Sequence, residues 1–91
     1  MQNEKRIEQR LVKKVKELGG LCWKWTSPGT TGVPDRLVIY KGQIYPVELK
    51  DPNGELSARQ KYVISQLDQL RVKVHVLWSD QMVDSFIESI K

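Results

Sequence analysis

Cysteine and histidine are nearly absent from this chain, which has one of each among its 91 residues. The single cysteine, Cys22, excludes an internal disulfide and agrees with a reducing compartment. It falls in the apolar run Leu21-Cys22-Trp23 and reads as a packed, inert thiol. His75 lies among valines and has no partner at metal-ligand spacing, so it reads as structural. No hydrophobic run approaches membrane-spanning length. Charge begins at Glu4, so no secretory leader is visible. Internal repeats, low-complexity tracts and inter-domain linkers are also missing. These absences point to one domain over residues 1–91, cytoplasmic in character (host cell cytoplasm if the chain is viral) and without membrane partners.

What is present fits a small soluble globular protein. Apolar residues make up 40% and charged residues 29% of the chain, too balanced for a disordered segment. A chain of this length affords only a limited core. The formal net charge of +4 suits a polyanionic partner, although many basic proteins bind none.

Hydrophobic periodicity divides the chain into seven elements. Residues 3–18 carry Ile7, Leu11, Val12, Val15 and Leu18 at helical spacing and stop at Gly19-Gly20. Residues 21–25 read as a first strand, and residues 27–32 as a flexible loop rich in Ser, Thr and Gly. Two β-rich runs follow, 36–40 and 43–49, with Lys41-Gly42 between them as a two-residue hairpin loop. Asp51-Pro52-Asn53-Gly54 makes a turn. A second helix over 57–70, a strand over 72–77 and a helix over 79–90 complete the order αβββαβα. The strand–helix–strand passage implies a crossover between parallel strands. The expected fold is therefore α/β, a mixed four-stranded sheet flanked by helices.

Chemistry concentrates at Pro34-Asp35 and Glu48-Leu49-Lys50. A two-residue loop sets Tyr40 opposite Gln43, Leu37 opposite Pro46 and Asp35 opposite Glu48. Lys50, two residues beyond Glu48, projects to the same face. Two carboxylates about 5 Å apart repel by roughly 3 kcal/mol at an effective dielectric near 20, and like charges are normally avoided at such positions. A divalent cation would turn that repulsion into a reason for the pairing. A three-residue loop would instead set Arg36 opposite Glu48 as an ordinary ion pair.

Two polar residues occupy apolar arcs. Glu8 falls inside the apolar stripe of the first helix, with Glu4 one turn earlier on the same face. A buried carboxylate needs a cation, a donor or water; Glu8 either pairs with a base, sits at the stripe's margin, or aims at the same centre as Asp35. Gln60 lies in the arc of Leu56, Val63, Ile64 and Leu67. Ser57-Ala58-Arg59-Gln60 also fits a capping box, and the two roles are compatible.

The first helix carries Lys5, Arg6, Arg10, Lys13, Lys14 and Lys16. They form either a solvated face or a phosphate-contacting one. Lys24, Arg36, Arg59 and Lys61 are further candidates, the last two near a helix N-terminus that favours anions. Trp23 and Trp25 share a strand face. They either stack on exposed bases or pack in a core or subunit interface.

Glu8, Pro34-Asp35, Glu48-Leu49-Lys50 and Ser57-Ala58-Arg59-Gln60, in this order and spacing, resemble the PD-(D/E)XK nuclease pattern. Gly32-Val33-Pro34-Asp35 and the Leu56-Ser57 lead into the Gln60 helix narrow the resemblance to stand-alone virus-type replication-repair nuclease (VRR-NUC) domains, over essentially the whole chain. The resemblance implies a restriction-endonuclease-like αβββαβα core and a DNA endonuclease dependent on Mg2+ or Mn2+. It implies metal ligation by Asp35, Glu48 and the Leu49 carbonyl, with Glu8 ligating directly or through water. Lys50 would position the attacking water or stabilise charge on the phosphorane, and Gln60 would orient the site or contact the substrate backbone. Oxygen ligands suit Mg2+ or Mn2+ rather than structural zinc. Compact relatives resemble Holliday-junction resolvases acting as homodimers, and a chain this small favours recognition of branched DNA by shape. A non-catalytic DNA-binding module of the same fold is the rival reading.

Overall fold

A computed structural model describes residues 3–91 of the chain. Its elements are α1 (Glu4–Leu18), β1 (Leu21–Lys24), β2 (Arg36–Tyr40), β3 (Gln43–Leu49), α2 (Ala58–Gln69), β4 (His75–Leu77) and α3 (Asp80–Ile90). The strands form one sheet in the order β1-β2-β3-β4. The first two pairings are antiparallel and β3 runs parallel to β4. This is the αβββαβα arrangement expected from the sequence.

Each helix begins where its capping chemistry says it should. The Asn3 side chain accepts from the Arg6 amide at 2.9 Å, and Ser79 accepts from the Met82 amide at 3.1 Å. Ser57 and Gln60 form the complete reciprocal capping box. Along α1, Ile7, Leu11 and Val15 recur one turn apart and are fully buried. They pack with Val38, Val47, Leu49 and Leu77 of the sheet and Val83, Phe86, Ile87 and Ile90 of α3. The main core therefore lies on the sheet face covered by α1 and α3. His75 belongs to it structurally, its ring 4.9 Å from that of Phe86 and 6.0 Å from that of Tyr45.

The opposite face is covered only in part. By alternation it carries Leu21, Trp23, Leu37, Ile39, Ile44 and Pro46. α2 reaches this side through Gln60 and the buried Val63. Trp25 lines a groove there with Val33, Val63 and Leu67, but Leu21, Trp23 and Ile44 remain 47%, 58% and 62% exposed. Trp23 is thus not a core residue of this chain, because β1 is an edge strand beyond the reach of α2.

The hairpin adopts the two-residue loop. Lys41 and Gly42 both have positive φ (50° and 76°), the backbone of a type I′ turn. Tyr40 faces Gln43, Leu37 faces Pro46 and Arg36 faces Val47.

The last strand is shorter than the apolar run Val72–Leu77 suggests. Helix α2 ends in a Schellman motif, with the Arg71 amide donating to Asp68 O and the Val72 amide to Leu67 O, both at 2.9 Å. Val72 is consumed by this cap, and pairing with β3 starts at His75 opposite Val47. α1 ends in the same motif with Gly19 in the left-handed position (φ 86°). In α2 that position is Arg71 (φ 65°), where a Cβ is strained by about 1–2 kcal/mol. Arg71→Gly is expected to stabilise the protein by up to about 1 kcal/mol after glycine's extra backbone entropy is subtracted. A higher midpoint in urea unfolding at unchanged m-value would show it.

Candidate active site

The register brings Asp35 and Glu48 together. Asp35 lies one residue before β2, and the Trp25 amide donates to its carbonyl at 3.0 Å, extending the β1–β2 pairing one step. The Asp35 Oδ2 accepts from the Leu49 amide at 2.9 Å, which fixes the carboxylate against the end of β3. Glu48 is 2% exposed, the one buried charged residue among those described. Its Oε2 accepts from Gln60 Nε2 at 3.0 Å. The Gln60 Oε1 accepts from the Ser57 amide at 2.9 Å, so the same side chain caps α2 and holds Glu48. Lys50 is half-buried, and its amide donates to Leu77 O at 3.0 Å.

Neither acid makes an ion pair among the described residues. Burial pushes the Glu48 carboxyl up to about 8; the charge of Asp35 and a hydrogen bond between the two carboxyls add to this, while Lys50 pulls the other way. At neutral pH the isolated pair therefore retains a proton, as closely opposed carboxylates do.

Glu8 is not part of this pair. Arg36 donates from Nε to Glu8 Oε2 at 2.8 Å and from Nη1 to the Cys22 carbonyl at 3.1 Å. In this structure the Glu8 carboxylate is engaged by the ion pair, because Arg36 projects from β2 towards α1. Glu4, one turn before Glu8 on the same face, is the α1 carboxylate that feels the site. Its pKa is raised, first by burial and then by Asp35, with Lys50 opposing. Its signal was its place one turn before Glu8.

The predicted phosphate-binding residues divide. Arg10 is held by Asp84 in a two-pronged bridge at 2.9 Å. Arg59 donates to Thr31 O at 3.1 Å and lies 5.2 Å from the Tyr62 ring centroid. Arg36 is engaged as described. Lys5, Lys13, Lys14, Lys16, Lys24 and Lys61 make no ion pair among the described residues; Arg6 is exposed on α1. The Cys22 thiol is half-buried, and burial raises its pKa, in keeping with an inert role.

Loop residues 27–33 pack directly on α2. Gly32 has φ 87°, and a Cβ there would lie 2.9 Å from Arg59 Cγ and 3.0 Å from the Arg59 carbonyl oxygen. This contact positions the segment that delivers Pro34 and Asp35.

A sheet end carrying an acidic pair, with a lysine two residues on and a glutamine reaching in from the next helix, is the arrangement that the resemblance to PD-(D/E)XK nucleases implies. The chain is 40% identical over 80 residues to "Putative nuclease p44" of Acyrthosiphon pisum secondary endosymbiont phage 1, covering 87% of this chain and 86% of that protein. A solved structure described as "VRR_NUC domain" superposes with a TM-score of 0.87 at 30% identity, over the full length of both chains. No protein-family model matches the sequence. The chain belongs to the VRR-NUC nuclease family.

The electrostatics make a direct prediction for the metal-free protein. The folded Glu48 pKa of about 8 lies above the ordinary glutamate value of about 4.3. Between these values the folded state binds more protons than the unfolded state, so stability falls as pH rises and levels off above about 8. Glu48→Gln removes this penalty. In EDTA the variant should melt higher than wild type at pH 8 and near wild type at pH 4, and equal pH slopes for the two proteins would contradict the assignment.

Proposed function

We propose that the chain is a DNA endonuclease that uses Mg2+ or Mn2+ to hydrolyse phosphodiester bonds, selective for branched DNA such as four-way junctions and acting as a homodimer. The observation that carries the metal reading is the Asp35–Glu48 pair, two carboxyl groups held together with no ion-pair partner among the described residues.

The donor set fits such an ion. No group of three or more His, Cys, Asp or Glu side chains converges among the described residues, which argues against a closed protein cage. Mg2+ normally keeps several waters and takes only one or two carboxylates. Asp35, Glu48 and the Leu49 carbonyl would hold it. When bound, the cation supplies Lewis acidity that lowers the pKa of water and neutralises charge on phosphate.

The chain's own residues do the rest. Gln60 holds Glu48 in orientation through its Nε2. The Leu49 amide does the same for Asp35. Lys50, on the face of Glu48, positions the attacking water or steadies charge on the phosphorane. Its charge acts on Glu48, opposing the upward push of burial and of Asp35.

The dimer and junction parts of the reading are supported by the exposed apolar sheet face with Leu21, Trp23 and Ile44. Two copies meeting there would cover an aggregation-prone surface and offer two sites to symmetric strands.

The test is a panel of labelled four-way junction, flap, nicked and linear DNAs incubated with Mg2+, Mn2+ or EDTA. Cleavage is expected only with a cation and best on the junction. Asp35→Asn and Glu48→Gln should each lower the rate by roughly 10²-fold or more, and Lys50→Ala by a comparable factor. Undiminished cleavage in EDTA would reject the metal, and equal rates on all substrates would reject junction selectivity. Sedimentation showing a monomer at micromolar concentration would reject the dimer.

A further inference from the structure

Helix α1 is flanked by two grooves of different electrostatic character. The groove towards α3 is mixed: Lys14 and Lys91 face Glu17, Asp84 and Glu88. The groove towards the edge strand β1 is basic. Lys5, Lys13, Lys16 and Lys24 surround it, and Glu8 and Arg36 also line it. The acid in that lining is already neutralised by Arg36 at 2.8 Å. The four lysines are exposed and make no ion pair among the described residues.

We infer that the groove between α1 and β1 is the track for the phosphodiester backbone of the substrate strand leading away from the scissile phosphate. The inference rests on the nuclease reading above and adds where the strand runs and which cations hold it.

Three observations carry it. One end of the groove lies near the site: Lys5 follows Glu4, which is close enough to Asp35, Lys50 and Asp51 to interact with their charges, and Arg36, in the lining, directly follows Asp35 in the chain. It has length: at 1.5 Å per residue, Lys5 to Lys16 spans about 17 Å of helix axis, enough for several phosphates at about 3.4 Å per nucleotide along a duplex. Its charge is uncompensated, whereas the other cations of α1 are not so placed. Arg10 is bound by Asp84, and Lys14 sits among acids. The Glu8–Arg36 pair then acts as a positioning element, joining α1 to β2 under the track rather than touching substrate.

The test measures binding of a fluorescein-labelled DNA duplex and its single strand by anisotropy, in EDTA so that no cleavage occurs, across a range of salt concentrations. Lys13→Ala/Lys24→Ala should weaken binding by about tenfold or more at low salt. It should also reduce the slope of log K against log salt by about 1.8, two lost phosphate contacts at about 0.9 each. Lys14→Ala should change affinity by less than about twofold. Lys13 and Lys24 are exposed and Lys14 is half-buried, and unchanged melting temperatures would show that folding is intact. An unchanged slope in the double variant, or an equal loss in Lys14→Ala, would overturn the track. If wild type cleaves DNA with a cation while the slope is unchanged, the track alone falls. If wild type neither binds nor cleaves DNA, the nuclease reading falls with it.

Discussion

The two-residue turn at Lys41-Gly42 decides which residue of β2 meets which residue of β3, and the chemistry of the molecule follows from that alignment. Because strand side chains alternate with period two, a slip of one position exchanges every inward and outward residue. It would bring Arg36 to Glu48 and leave Asp35 without its acid partner. The observed turn, with both central residues at positive φ, excludes that arrangement. It places Arg36 opposite Val47 and so on the α1 side, where it bonds Glu8. One backbone conformation thereby separates an ion pair that joins helix to sheet from an acid pair that makes no ion pair among the described residues.

Each acid of that pair is held by a hydrogen bond from the surrounding chain. Glu48 sits among buried neighbours, its oxygen bonded to Gln60, while Asp35 is fixed by the Leu49 amide. Burying Glu48 beside a second carboxylate opposes folding, and such locally unfavourable arrangements concentrate at functional sites. Gln60 serves both demands, closing the first turn of α2 with one atom of its amide and holding the acid with the other. The core on the α1–α3 side contributes the stability against which this arrangement is set.

Much of the fold was legible in the sequence because local chemistry and global architecture agree. Asn3, Ser57 and Ser79 announce helix starts, Gly19-Gly20 a helix stop, and Lys41-Gly42 a tight turn. The alternation of β2 and β3 places Asp35 and Glu48 on one face. Features that depend on distant partners were not legible. Nothing local to Glu8 says that Arg36, far along the chain, will claim it, or that Glu4 will feel Asp35 instead. Trp23 looks like a core residue by composition, yet its exposure depends on how far α2 extends over an edge strand. Val72 looks like part of a strand but is used in a helix cap, which Arg71 hides by standing where glycine usually signals the motif. The charge of α1 read as uniform because its sequence does not reveal that α3 brings acids to one flank only.

Gly32 links the two halves of the site mechanically. Its missing side chain lets the loop ahead of Pro34 rest on the backbone of Arg59, within the first turn of the helix that carries Gln60. The segment presenting one acid and the helix steadying the other are therefore in register through a contact of atoms, with no spare volume between them. Displacement of that loop would be felt by Glu48 through α2 as well as by Asp35 directly, so the acid pair should loosen or tighten as one body.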